Sequence, residues 1–274
     1  MNDCDIERLA DDVVAAYGQS TPPVDLRNIA GEEGIELAEG DYGEDFHGRI
    51  EYLSEVEAFA IYHPRLECAR YPGRVRFSIA HELGHYFIPA HREVLLTGAC
   101  HNSDDCFLGG SSVEKEADKF ASALLVPSVE LRRLVGARKF LTLAQILELA
   151  DRCQASAQAT AFRYTRFTEE PHIAIVSQNG RILYHFASEE AEAIGFRWLG
   201  NRNVPMSCAT RRAGMAPVGG GIVEGASGSE NWFSSRRASA ELWEEAIRLG
   251  TTDLVLTLLS WQDYEPNYEQ EDDN

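Results

Sequence analysis

Hydrophobic residues spaced three and four positions apart predict most of the helices in this chain. The first predicted helix covers residues 6–17 and ends at Gly18, a residue type that commonly terminates helices. The helix at 112–126 begins at a serine cap and stops before Pro127. The other predicted helices cover residues 24–32, 74–87, 129–135, 143–152, 155–167, 189–194 and 239–249.

Shorter apolar or alternating runs predict the strands, at residues 35–37, 46–53, 58–63, 173–177, 182–186 and 253–261. Asn179-Gly180, between the fourth and fifth of these runs, is a strong signal for a β-hairpin turn. Residues 46–53 and 58–63 predict another hairpin before the helix at 74–87. An edge of that hairpin is a hypothetical place for a substrate backbone to bind as an added strand. The predicted fold class is therefore α+β.

A change in composition after Thr168-Glu169-Glu170-Pro171 predicts a domain boundary. We expect an N-terminal domain at 1–168, a smaller C-terminal α/β domain at 169–268 and a disordered acidic tail at 269–274. A chain of 274 residues has room for two such domains, each with a core of its own.

Composition indicates a folded, soluble protein, with 44% hydrophobic and 25% charged residues. No segment approaches the roughly 18 apolar residues of a membrane span, and no signal peptide precedes the first helix, so we expect a cytoplasmic protein without a membrane partner. The net charge of −19 argues against general adhesion to nucleic acids. Six cysteines without a Cys-x-x-Cys pair are expected to be reduced.

The helix at 74–87 carries the sequence His81-Glu82-Leu83-Gly84-His85. Positions i and i+4 of a helix share a face, so both imidazoles can point at one place. Two histidine ligands, with a glutamate that takes a proton from the attacking water, are typical of zinc metalloproteases. The alternative is a buried amphipathic helix whose histidines are satisfied by hydrogen bonds.

A catalytic zinc ion usually has three protein ligands, and the third is predicted on the helix at 112–126. Glu114 and Asp118 lie one turn apart on the same face of that helix. This spacing suits Glu114 as the third ligand and Asp118 as a carboxylate that orients a ligand histidine. Glu116 points to another side of the helix and is the weaker candidate.

The segment 91–108 is predicted to be a loop close to the metal. A Cys106 thiolate that reached the open zinc position would hold the enzyme inactive, and Cys100 is the second choice for this role. The alternative is an inert loop cysteine. His101 is a candidate for stabilising the oxyanion of the transition state, or a loop histidine without such a role.

Two stretches resemble the ImmA/IrrE family of bacterial and phage metallopeptidases, namely Arg76–Tyr86 and Glu114-x-Glu116-Ala117-Asp118-x-Phe120-Ala121-x-x-Leu124-Leu125-x-Pro127. The resemblance covers roughly residues 1–168 and implies a zincin-like fold. It also implies a zinc ion bound by His81, His85 and Glu114, with Glu82 as general base.

By the same resemblance, the chain is a zinc endopeptidase that cleaves a helix-turn-helix repressor in response to stress or DNA damage, and single-stranded DNA is a candidate activator. The C-terminal segment resembles a GAF-like sensor or partner-binding domain, although no residue motif certifies it. Such a fusion resembles the peptidases of antiphage defence operons. Trp198, Trp232 and Phe233 either line a ligand pocket there or belong to an ordinary core.

Two other functions are consistent with the sequence. The chain could be a non-proteolytic, zinc-containing regulator that binds a repressor or nucleic acid. It could also be one member of a toxin–antitoxin pair.

Overall fold

The computed structural model describes residues 2–17, 21–42, 48–65, 72–98, 101–102, 111–135, 140–198, 203–206, 208–235, 240–250 and 253–261. The chain forms two compact units, one from residues 1–137 and 146–163 and the other from residues 138–145 and 164–274. In these described ranges, no helix is both long enough and apolar enough to cross a membrane. The predicted acidic tail at 269–274 lies outside them.

The first unit is mainly helical. Its helices are α1 (Asp3–Ala16), α2 (Leu26–Glu32), α3 (Pro72–Phe87), α4 (Pro89–Leu96), α5 (Ser112–Leu125), α6 (Ser128–Val135), α7 (Leu143–Cys153) and α8 (Ala157–Phe167), of which 143–145 and 164–167 count with the second unit. Ser111 caps α5, since its side chain accepts a hydrogen bond from the backbone N–H of Glu114. This cap fixes the start of the helix that carries Glu114.

The first unit also contains a small mixed sheet. Its strands are β1 (Glu36–Gly40), β2 (Arg49–Leu53), β3 (Ala58–Pro64) and β4 (His101–Asn102), in the order β1-β3-β2-β4 among the described residues. β1 runs parallel to β3, whereas β2 is antiparallel to both β3 and β4. Phe59 of β3 packs edge-on against Tyr86 of α3, with ring centroids 5.1 Å apart. The sheet therefore lies beside the helix that carries the histidines.

A buried arginine ties three helices of the first unit together. The guanidinium of Arg163 on α8 donates to a carboxylate oxygen of Glu7 on α1 and to the hydroxyl of Ser128 on α6, each at 2.7 Å. Arg163 is fully buried, and a charge removed from water is tolerated only where such partners replace the lost hydration.

The prediction of a loop over 91–108 is wrong for part of that segment. Residues 91–96 belong to α4, and residues 101–102 form β4. Pro89 stands in the first turn of α4, where its missing N–H would have no helical partner and its fixed φ suits a helix. The sequence pattern indicated only that this proline ends α3, and not that it begins another helix.

The second unit is built on an antiparallel sheet. Its elements are β5 (His172–Gln178), β6 (Arg181–Ala187), α9 (Glu189–Ala193), β7 (Phe196–Trp198), α10 (Ala209–Met215), β8 (Val223–Gly228), a short 3-10 helix (Ser229–Asn231), β9 (Phe233–Ser235), β10 (Glu241–Arg248) and β11 (Leu254–Trp261). Within the described residues, five of these strands pair in the order β6-β5-β11-β10-β8, and every pair is antiparallel.

The predicted hairpin between β5 and β6 is present. Gln178 pairs with Arg181, so Asn179 and Gly180 form a two-residue turn. Both turn residues have positive φ, 51° and 76°, as a type I′ turn requires. Asparagine and glycine tolerate this conformation better than other residues, which is why the sequence signal was reliable here.

The prediction of a helix at 239–249 is wrong, because residues 241–248 of this segment form the strand β10. Its Glu-, Ala- and Leu-rich composition favours a helix, but β10 pairs with β11 on one side and β8 on the other. Tertiary pairing outweighs a weak local preference. Glu244 of this strand is fully buried and accepts hydrogen bonds from the Trp232 indole and the Thr210 backbone N–H.

Trp232 and Phe233 belong to the core of the second unit, where they pack with Ile173, Ile175 and Leu259. The side chain of Trp198 lies outside the described residues. For the two described aromatics, the core interpretation is therefore the one that the structure supports.

The burial of His172, at the start of β5, is expected to make the stability of the protein depend on pH. Burial lowers the pKa of His172 to about 4, against the opposing effect of its contact with the Glu170 carbonyl. The unfolded chain binds this proton near pH 6.5, so falling pH favours the unfolded state between about 6.5 and 4, by about 3 kcal/mol. We expect the free energy of unfolding of His172→Asn to fall less steeply over this range than that of the wild type.

Chemical denaturation at several pH values measures this difference. His185→Asn, which replaces an exposed histidine on β6, is the matched control. Equal slopes for the wild type and His172→Asn would contradict the assigned pKa.

Candidate metal centre

The candidate metal centre depends on a close approach between α3 and α5. A methyl group on Gly84 of α3 would lie 3.2 Å from the Phe120 ring and 3.3 Å from the Cα and carbonyl oxygen of Ala117 on α5. A larger residue at position 84 would push the helices apart, so glycine is needed for this contact. The Phe87 and Phe120 rings stack beside it, with centroids 5.9 Å apart. The first turn of α5 is thereby brought alongside the two histidines of α3.

The nitrogen and oxygen atoms of three side chains converge at this place. Nε2 of His81 lies 3.1 Å from Nε2 of His85 and 3.3 Å from a carboxylate oxygen of Glu114. Nε2 of His85 lies 3.5 Å from the other carboxylate oxygen of Glu114. His81, His85 and Glu114 are 5%, 1% and 6% exposed as whole residues, so the cluster is shielded from bulk water. Of the described residues, these three form a group able to hold a metal ion.

The spacing of these atoms fits a zinc ion. Tetrahedral zinc, with bonds of about 2.0–2.2 Å, holds its nitrogen and oxygen ligands about 3.3–3.6 Å apart. The observed separations of 3.1, 3.3 and 3.5 Å are close to that range. Two imidazoles and one carboxylate are also a ligand set of catalytic zinc sites, which leave a fourth position for water or substrate.

Asp118 contacts His81, the first of the two candidate ligand histidines. Its carboxylate lies 2.9 Å from Nδ1 of His81, one turn along α5 from Glu114. An imidazole that donates from Nδ1 keeps the lone pair of Nε2 directed at the cation. Burial works to lower the pKa of His81, but hydrogen bonds with Asp118 and Glu114 outweigh it and raise the pKa to about 10. The acidic surroundings therefore favour positive charge at this point.

Glu116 has a different partner. Its carboxylate lies 3.2 Å from Nε2 of His91 on α4, and the His91 ring centroid is 5.0 Å from that of His85. Glu116 thus contacts a histidine that lies beside His85, and not the candidate ligands themselves. No sequence signal pointed to His91, because Pro89 separates it from α3 and its spacing from His85 matches no helical repeat.

Glu82 is fully buried and has a close neighbour that sequence reasoning missed. A methyl group on Gly48, just before β2, would lie 2.9 Å from Oε1 of Glu82 and 3.4 Å from Cβ of Ser78. The absence of a side chain at position 48 therefore leaves room for the Glu82 carboxylate. A glycine next to a strand signals close packing in general, but the sequence does not indicate against which residue.

Three other predicted contributors lie in or next to β4. The backbone of β4 pairs with the start of β2, through Arg49 with Asn102 and Ile50 with His101. The side chain of His101 lies outside the described residues, and so do Cys100 and Cys106. Their proposed roles in oxyanion stabilisation and zinc inhibition stay predictions.

Residues 65–165 match the family model of the IrrE N-terminal-like domain, Peptidase_M78. This range contains α3 and α5, and with them His81, Glu82, His85 and Glu114. The match supports the ImmA/IrrE family and indicates a peptidase. No curated protein gives a significant match to the chain.

Among solved structures, a Mycobacterium tuberculosis transcriptional regulator is similar, with a TM-score of 0.59 and 18% sequence identity. The similarity covers 94% of this chain and 76% of that chain. At this level of identity, the likeness shows a shared fold.

Because Asp118 contacts His81, we expect the substitution Asp118→Asn to weaken zinc binding. In Asp118→Asn the neutral amide no longer strengthens His81 as a ligand, and we expect the dissociation constant for zinc to rise about 10- to 100-fold. Competition with a chromophoric chelator measures this constant. Lys115→Gln, at an exposed position of the same helix, is the control and should bind zinc like the wild type. Equal affinities of Asp118→Asn and Lys115→Gln would argue against the orienting role.

Proposed function

We propose that this protein is a zinc-dependent endopeptidase that cleaves a helix-turn-helix transcriptional repressor and so derepresses a stress or defence operon. The convergence of His81, His85 and Glu114, with the buried Glu82 directly after His81 in the chain, is the observation that carries this proposal. The Peptidase_M78 match over the same residues supports it independently of the geometry.

The proposed chemistry divides the work among a few side chains. A bound zinc ion would supply Lewis-acid activation of water and of the scissile carbonyl. Glu82 accepts the proton that the water loses as its oxygen bonds to the carbonyl carbon. Glu82 then donates that proton to the amine nitrogen as the C–N bond breaks. Asp118 keeps the His81 ring in one orientation throughout.

The substrate and the trigger are parts of the proposal that rest on resemblance. A repressor substrate and activation by single-stranded DNA are implied by the likeness to the ImmA/IrrE family. The name of the structurally similar mycobacterial protein, a transcriptional regulator, is compatible with a role in gene control. A zincin-like domain at 1–168 and a GAF-like domain at 169–268 belong to the same proposal, as does a link to antiphage defence.

A second candidate is a non-proteolytic regulator that uses zinc for structure. The deep burial of the cluster favours it, because structural metal sites are closed to solvent. The two functions differ in their need for Glu82. A peptidase requires this glutamate as its general base, whereas a purely structural zinc site does not.

Glu82→Gln separates these two functions. Glutamine has nearly the same shape as glutamate but cannot take up the proton, so we expect cleavage to fall by at least about 100-fold while zinc stays bound. The assay incubates the protein with the repressor encoded beside it, with and without single-stranded DNA, and identifies fragments by mass spectrometry. If Glu82→Gln still derepresses the operon, proteolysis is not the mechanism.

Gly48→Ala tests the placement of Glu82. Because the new methyl group would press on Oε1 of Glu82, we expect kcat to fall about 10-fold with little change in zinc affinity. Gly31→Ala on α2 is the matched control, since a methyl group there meets no atom within 4 Å. Full activity of Gly48→Ala would show that the general base does not depend on this contact.

A further inference from the structure

A cavity of about 200 Å³ lies in the second unit, beside the turn between β5 and β6. It is lined by the turn residues, by α10 and by the start of β11, and it contains no residue of the metal centre. An apolar cavity of roughly 150 Å³ can hold a benzene molecule, so this one has room for a slightly larger organic compound.

One wall of the cavity holds the guanidinium of Arg211 in a fixed place. Its Nη2 donates to the carbonyl oxygen of Val204 at 2.8 Å. A methyl group on Gly180 would lie 2.6 Å from Nη1 and 3.1 Å from Cζ, so the guanidinium lies directly against the turn backbone. Arg211 is therefore positioned before any ligand arrives, which reduces the entropy lost on binding.

Among the described residues, Arg211 has no ion-pair partner, because no described carboxylate lies within 4.0 Å of its guanidinium. Asp253 also lines the cavity, but it pairs with Arg248 at 2.5 Å. The cavity thus offers an uncompensated cation in a protein of net charge −19.

The rest of the wall is partly apolar. Val204 and Val255 are buried side chains, whereas Met215 is exposed at 75%. Methionine is flexible and adapts its shape to a bound molecule. A ligand for this cavity should therefore combine one anionic group with a small apolar body.

We propose that this cavity binds a small organic carboxylate. The carboxylate accepts hydrogen bonds from Arg211, and the apolar body packs against Val204, Met215 and Val255. A planar guanidinium matches the two oxygens of a carboxylate, and such charge-assisted hydrogen bonds are strong. This inference concerns the second unit and does not depend on peptidase activity.

Titration of the full-length protein tests the proposal with probes of matched shape. Hexanoate and benzoate are compared with hexanamide and benzamide, which lack the charge, and with inorganic phosphate, which lacks the apolar body. Isothermal calorimetry or chemical-shift changes give the dissociation constants. We expect the carboxylates to bind at about 1 mM or more tightly, and the amides and phosphate about 10- to 100-fold more weakly.

Two arginine variants locate the binding. Arg211→Gln should weaken carboxylate binding about 10- to 100-fold and remove the difference between acid and amide. Arg212→Gln, at the next position on α10, is the matched control, because the Arg212 side chain donates instead to the Glu224 carbonyl. It should bind carboxylates like the wild type.

A third variant covers the case in which Arg211→Gln fails to fold. Gly214 and Val255 both line the cavity, and a methyl group on Gly214 would lie 3.5 Å from the Val255 side chain. The larger side chain of Gly214→Leu should therefore fill part of the cavity. This variant should lose carboxylate binding while its circular dichroism spectrum stays native. The proposal is overturned if no carboxylate binds by about 20 mM, if amide or phosphate binds equally well, or if folded Arg211→Gln or Gly214→Leu retains wild-type affinity.

Discussion

The candidate site depends on the close contact between α3 and α5 at Gly84 and Ala117. Here two helices from distant parts of the chain approach so closely that one methyl group on Gly84 would crowd the neighbouring backbone. His81 and His85 share a helix, and their convergence needs no tertiary structure. Glu114 and Asp118 reach them only because this contact exists. Gly84 and Ala117 therefore position the candidate ligands of α5 against those of α3.

The contact creates a buried concentration of charge that a cation would stabilise. Three donor atoms face one another in a space shielded from water. Two further carboxylates lie nearby: Asp118 contacts His81, and Glu116 contacts His91, whose ring lies beside that of His85. Carboxylates that are removed from water close to one another favour a bound proton or metal ion, because either one reduces their mutual repulsion. This layered arrangement resembles the outer hydrogen bonds that orient ligands in known metal sites. It also explains why several acidic residues on one short helix stay close to a histidine pair.

Much of this arrangement could be predicted from the sequence, because its signals are local. The His-Glu-x-x-His motif and the Glu114–Asp118 spacing each need only one helix, and the ends of the two helices predicted to carry them, 74–87 and 112–126, lie within two residues of those observed. Gly48 and His91 were missed because their roles come from tertiary contacts. The strand β10 was predicted as a helix because its residues favour a helix locally, whereas its pairing with β8 and β11 depends on distant segments.

X-ray absorption at the zinc edge, on protein purified without added chelator, tests the metal centre most directly. Our account predicts about one zinc ion per chain, with nitrogen and oxygen neighbours at about 2.0–2.2 Å and the scattering pattern of imidazole. A protein that cannot be loaded with zinc, or a zinc shell dominated by sulfur at about 2.3 Å, would contradict the assignment of His81, His85 and Glu114 as its ligands.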